Sequence, residues 1–168
     1  MDSNTQIQQD ISSKAWVLPF GNNIHMAISE FEIVHILAGR QRYAHVPRSP
    51  LWCRHVFIWC DQLITLFDLK ACITPEHTDG SIPAFSSSDI VCIVSYETPQ
   101  KKIQYGGFLL SSLPFTRVVT DDQMCDYPKD NIDWEKFTLS CFNDPDLGPT
   151  PILDVARIFC SSINKPDR

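Results

Sequence analysis

The chain has no apolar run approaching the roughly 18–20 residues that a membrane-spanning helix needs, so direct membrane insertion is not expected. Its first fourteen residues, MDSNTQIQQDISSK, lack the charged-then-apolar pattern of a secretory signal. They read as a disordered tail (1–14) ahead of a single domain over 15–164, and a cytoplasmic location is expected. A basic stripe is missing too. Lys and Arg number 14 against 20 Asp and Glu, the net charge is −6, and apart from Lys101-Lys102 the cations are scattered. That excludes a surface neutralising many phosphates, and with it nucleic acid as a partner. CxxC and HxxxH pairs, by which zinc sites usually declare themselves, are absent. The seven cysteines are odd in number and irregularly spaced. In a reducing compartment they read as small buried hydrophobes rather than a disulfide framework.

What the chain does have is a phrase used twice. Residues 63–73 read LITLFDLKACI and residues 150–159 read TPILDVARIF. Each is an apolar strand-like run, an aspartate (Asp68, Asp154), then Leu or Val and an Ala beside a basic residue. Ahead of each stands a polar turn and another apolar strand, at 55–59 and 137–142. Internal repetition is stronger evidence about fold than any local motif, and two copies are too few for a solenoid. The pattern implies a pseudo-duplicated pair of small β units. Each aspartate follows a strand directly and is expected to act as a cap or turn rather than as one of a catalytic pair.

Other segments fit the same class. WVLPF (16–20) reads as an edge strand because Pro19 removes a ladder donor. Gly21-Asn22-Asn23 is a turn signal, and 24–28 alternates as a half-buried strand does. Ser29 and Glu32 match a capping box, but the β-branched run that follows favours a turn and then a strand. Residues 51–54 allow one short helical turn, and 55–59 with 63–67 form a hairpin around Cys60-Asp61-Gln62. Residues 75–88, rich in Pro, Gly, Ser, Thr and acids, form the expected subdomain boundary. DIVCIVSY (89–96) reads as a strand buried on both faces. The next strand, 102–110, carries Gly106-Gly107, marking a bulge or a close backbone approach. Strands over 114–120, 134–142 and 150–153 and a helix over 155–163 complete a mainly β chain.

Chemistry is thinly represented. Cys53, His55 and Cys60, with His45 nearby, invite a metal site, yet Cys60 falls on the opposite strand face by parity. Gly106-Gly107 lacks the strand–loop–helix setting of a phosphate cradle. No local signature supports a Cys–His nucleophile. No catalytic residue, metal or cofactor is expected.

Three stretches carry a resemblance to the CheW-like family, the adaptors of bacterial chemosensory arrays, and within it to PilI-type and stand-alone proteins of gammaproteobacteria. VPRSPLWC (46–53), running into VFIWCDQLITLFDL (56–69), resembles the family's "VP.aP....G" followed by strand, Arg-Gly turn, strand and "PV.DL". YGGFLLSSL (105–113) resembles "..GLLVD.V", and TPILDVARIF (150–159) the closing "lvpLLD...l". They occur in order and span most of the chain. The resemblance implies two five-stranded SH3-like β-barrel subdomains around a shared hydrophobic core, with a C-terminal helix. It implies a non-catalytic adaptor or scaffold joining chemoreceptors to a CheA-type histidine kinase, in chemotaxis or twitching motility. The partners would be the kinase's regulatory domain and the receptor's cytoplasmic tip helix.

Departures from the family pattern cluster at one place. The Arg-Gly turn falls on Cys60-Asp61, the strand-opening glycine on His55, the proline of "PV.DL" on Thr65, and the aspartate of the second motif on Ser111. Losing the arginine removes a planar, permanent cation, and Asp61 reverses the local charge. This implies a divergent adaptor with a dedicated partner, whose contacts are expected at Ile58, Cys60, Asp61, Leu63 and Leu109. The rival classes are a small cysteine- or metal-dependent enzyme and a generic SH3-like peptide-binding module.

Overall fold

Alternating apolar positions cut by turn-forming residues produce eleven strands and two short helices among the described residues of a computed structural model, namely 12–39, 42–73 and 89–160. The first half carries β1 (Ser12–Gly21), β2 (Ile24–Ser29), β3 (Ile33–Ala38), β4 (Ala44–His45), a 3₁₀ turn (Leu51–Cys53), β5 (His55–Trp59), β6 (Gln62–Phe67) and α1 (Leu69–Ile73). The second carries β7 (Ile90–Glu97), β8 (Ile103–Leu110), β9 (Phe115–Thr120), 3₁₀ turns at Asp121–Gln123 and Trp134–Lys136, β10 (Thr138–Asp144), β11 (Gly148–Leu153) and α2 (Val155–Cys160).

The duplication extends to topology. The first sheet runs β10-β11-β2-β1-β9, and the second β5-β6-β8-β7-β3 with β4 outside β5. Each sheet thus combines a hairpin from one half of the chain (β1β2 or β7β8) with strands from the other. The one parallel pairing falls at the same place in both, β11 on β2 (Ile152↔Ala27) and β6 on β8 (Leu66↔Gly107). Small residues, Ala27 and Gly107, stand at that crossing. Beyond its hairpin, each half sends the next strand to the other sheet: β3 pairs with β7, and β9 with β1.

Both sheets curl back on themselves. After β9, Met124 bridges Phe142 of β10 and Cys125 N donates to Cys141 O at 3.0 Å. After β3, β4 pairs with β5, and Val46 N donates to Arg54 O at 2.8 Å. Three apolar clusters follow from strand alternation. Ala15, Val17, Ala27 and Phe142 fill the first sheet, and Phe57, Ile64, Leu66, Val91 and Ile93 fill the second. The largest cluster lies between them, where Leu18, Met26, Phe67, Phe108, Leu153 and Ile158 meet. The architecture is mainly β, two barrel-like subdomains around a shared core.

The two repeated aspartates do the same work. Asp68 Oδ1 accepts Ala71 N (3.1 Å) and Asp154 Oδ1 accepts Arg157 N (2.9 Å), each capping its helix. Their own backbone N–H groups donate to Trp52 O and Phe137 O, at the two equivalent 3₁₀ turns.

Several expectations need correction. β1 is an inner strand between β2 and β9, not an edge. Pro19 is tolerated because the β9 pairing covers only Ser12 to Val17 and β1 shifts register after Pro19. β1 also takes in Ser12, Ser13 and Lys14, which the sequence assigned to the tail; the tail's first eleven residues lie outside the described residues. A subdomain boundary at 75–88 does not divide the sheets. Those residues are outside the described set, but β6 before them and β7 and β8 after them lie in one sheet, with β6 hydrogen-bonded to β8. Residues 134–136 are a 3₁₀ turn rather than strand, and the expected helix ends among residues not described, α2 being assigned to Cys160. β8 keeps regular register opposite β7 through Gly106 and Gly107, so the glycines mark close approach and not a bulge. A Cβ at Gly106 would sit 2.4 Å from the Phe159 ring. Ser29 and Glu32 form a turn, Ser29 N donating to Glu32 Oε2 at 2.8 Å, and β3 follows as expected.

Candidate functional site

The β5–β6 hairpin is built by strict alternation. Phe57 and Ile64 pair across the strands and face the interior of the second sheet, while Ile58 and Leu63, the next pair, face outward. They are 66% and 67% exposed. Leu63, Thr65 and Phe67 share a face, and Phe67 is sealed in the shared core. The sheet surface that forms the core therefore continues, uncovered, to the hairpin tip.

The tip is a two-residue turn with Cys60 at φ 49° and Asp61 at φ 60°. Such turns match the right-handed twist of the flanking strands but favour Asn-Gly, because both positions need positive φ. A cysteine there is strained. Both residues are exposed. Trp59 anchors the tip from inside, its ring 5.6 Å from Tyr105 and 6.3 Å from His35.

Of the five contact residues expected from sequence, Ile58, Cys60, Asp61 and Leu63 come together on this hairpin. Leu109 does not join them: it packs half-buried against the cluster inside the second sheet. The signal was available in parity, since its neighbours Phe108 and Leu110 take the shared-core face and Leu109 must take the other.

The residues considered for metal binding separate as well. His45 and His55 pair across β4 and β5 with ring centroids 5.8 Å apart, while Cys60 lies at the far end of β5. Burial first, then His45 and Arg54, lowers the His55 pKa. Among the described residues no three His, Cys, Asp or Glu side chains group as a metal site. Burial pushes the Cys72 thiol up to about 11 and Cys92 to about 12, and raises Cys53. Ser111, where the family's aspartate falls, ties β8 to β1, with N and Oγ both donating to Pro19 O at 2.9 and 3.2 Å.

Sequence reasoning missed one network at the equivalent hairpin. Arg117 of β9 donates through Nε to Asp144 Oδ2 (2.7 Å) and through Nη2 to Asp146 Oδ2 (2.8 Å), its guanidinium lying 4.7 Å from the Phe115 ring centroid. Asp144 is buried and also accepts Asp146 N and Leu147 N. Burial alone would raise its pKa; the backbone donors and Arg117 outweigh that and hold it below the ordinary value. The acids were legible as a turn, but the arginine lies on another strand.

No family model matches the sequence, and no curated protein matches it. The structure is similar to that of the scaffolding protein TtCheW from Thermoanaerobacter tengcongensis, with a TM-score of 0.65 at 15% identity over 90% of this chain and 95% of that one. The CheW-like fold implied by the three sequence motifs is the fold of this chain. Among the described residues, no helix is long and apolar enough to cross a membrane.

Proposed function

We propose that the protein is a non-catalytic cytoplasmic adaptor in a chemosensory complex, presenting the β5–β6 hairpin to a helical partner. The observation that carries this reading is the exposed Ile58–Leu63 pair, on a fold similar over most of its length to a scaffolding protein. An amphipathic helix supplies apolar anchors at i, i+3 and i+4 spacing, which suits a short apolar stripe on a sheet face. Asp61 selects a partner with a Lys or Arg beside those anchors, adding on the order of 1 kcal/mol or less at this exposure. By resemblance the partners are a chemoreceptor tip helix and the regulatory domain of a CheA-type histidine kinase. Burial holds Cys53, Cys72 and Cys92 as thiols rather than activating them as thiolates, which speaks against a thiol enzyme built on any of these three.

The test is titration of the wild type, Ile58→Lys and Asp61→Arg against receptor-tip and kinase-domain fragments at two salt concentrations. Ile58→Lys should weaken binding about tenfold or more, at the scale of one lost apolar anchor, with unfolding free energy changed by no more than about 0.5 kcal/mol. Asp61→Arg should alter salt dependence and partner choice. Folded variants that bind as the wild type does would rule this hairpin out as the working surface. Wild-type protein that binds neither fragment would reject the chemosensory assignment itself.

A further inference from the structure

We propose that Cys125 and Cys141 are a peroxide-oxidisable dithiol, a modification site whose disulfide would lock the first sheet closed. The two residues lie opposite each other where the segment after β9 runs antiparallel to β10, one step from the Met124–Phe142 bridge. Cys125 N donates to Cys141 O at 3.0 Å, and the two sulfurs are 3.7 Å apart, with the Cys125 thiol donating. Residues opposed in this way have Cα atoms about 4.5–5.5 Å apart, inside the roughly 4.4–6.8 Å that disulfides span. Bond formation needs the sulfurs to approach each other, not the strands to move.

Access is asymmetric. An open cleft of about 710 Å³, lined by Cys125, Cys141, Asp126, Tyr127 and Glu135 among others, reaches the pair from solvent. Cys125 is half-buried and Cys141 buried. Burial, followed by the hydrogen bond shared with Cys125, pushes the Cys141 thiol up to about 12, and the more accessible Cys125 is the group that meets the oxidant.

The chemistry balances with hydrogen peroxide as the two-electron oxidant. The Cys125 thiolate attacks one peroxide oxygen, the O–O bond breaks, and the departing hydroxide takes a proton and leaves as water. Cys125 is then a sulfenic acid. The Cys141 sulfur attacks it, the S–O bond breaks, and the Cys141 proton leaves with the hydroxide as a second water. Two thiols are oxidised to a disulfide and one peroxide is reduced to two waters. Cys60 and Cys160 are more exposed, which makes them the natural competitors for oxidant.

The test treats the full chain with hydrogen peroxide, alkylates the remaining thiols and maps peptides without reduction. The expected result is a linked 125–141 peptide, a free-thiol count lower by two and a Tm raised by several degrees on the scale of one added cross-link, all reversed by dithiothreitol. Amide exchange at Met124 and Cys125 should slow about tenfold. Cys125→Ser should fold as the wild type does, yield no linked peptide and show no Tm rise. Consumption of Cys60 or Cys160 with both 125 and 141 still alkylatable would overturn the proposal, as would a cross-link between any other pair. A 125–141 link that leaves Tm unchanged would overturn the locking role.

Discussion

The two equivalent hairpins are finished in opposite ways. Register aligns Phe57↔Ile64 with Phe142↔Thr150, and one step outward Ile58↔Leu63 with Asn143↔Pro149. In the first hairpin that outer pair is apolar and exposed. Its partner sheet ends the strand with Asp144, buried and bonded to Arg117. The residue equivalent to Asp144 is Trp59, the last of β5. Arg117 stands opposite Ala15 and its equivalent opposite Val91 is Leu37, so Trp59 meets instead His35, two residues earlier on β3. One sheet is closed by an ion pair whose carboxylate is buried and the other by a tilted imidazole–indole contact. The turns diverge as well. Asp144 takes two backbone N–H groups of its loop and Gly148 supplies the left-handed position at φ 77°, whereas Cys60 and Asp61 adopt that region without glycine. A duplicated unit has had one tip secured by an ion pair and loop hydrogen bonds and the other left apolar, exposed and strained.

The largest test of that contrast is Arg117→Met. It strands the Asp144 carboxylate in a buried site and should cost about 3 kcal/mol in urea unfolding, while His35→Met should cost about 1 kcal/mol or less. Because the Asp144 pKa is lowered in the fold, its stabilisation is in full above the ordinary value of 3.8 and is lost as pH falls through the lowered folded value. The gap between wild type and Arg117→Met should therefore narrow in acid. An undiminished gap at low pH would assign the loss to packing.

Next comes Gly106→Ala. Its Cβ would press on Phe159, which stacks on Tyr96 at 5.1 Å and packs 5.2 Å from Phe108. The expected cost is about 2 kcal/mol, largely recovered when Phe159→Ala is added. The aligned β2 position, Met26, already carries a full side chain, so this approach belongs to one sheet alone.

The helix caps are where the two halves should agree. Asp68→Ala and Asp154→Ala should each cost about 1 kcal/mol, Asp154 slightly more because Arg157 pairs with it at 3.3 Å. Unequal losses well beyond that would break the equivalence. The smallest effect is a gain: Cys60→Asn with Asp61→Gly should stabilise the first hairpin by about 0.5 kcal/mol by relieving positive φ, measured as a shift in urea midpoint at constant slope. A loss instead would mean the turn is held by contacts beyond its own backbone.

Much of this was written locally. The apolar runs at 55–59 and 63–67 announced a hairpin and the repeated aspartates announced caps or turns, because strand formation and capping depend on neighbours two to four residues away; which of the apolar residues face inward was decided by the fold. The sequence alone thus determined a duplicated, mainly β chain, its hairpins, the start of the C-terminal helix and the apolar residues near one tip, while the short helix after Asp68 was legible only as a cap or turn. It could not state which sheet each strand joins. Periodicity says which face of a strand is buried, not against whom, and a cut at 75–88 follows the repeat but not the barrels. The tertiary structure decided that β3 crosses to β7 and β9 to β1, brought Arg117 onto Asp144 from 27 residues away, and set Cys125 against Cys141. The physical reason is that the two hairpins are near-equivalent templates: edge pairing is satisfied on either, and the choice is settled by long-range packing in the shared core, where residues from both halves are buried together.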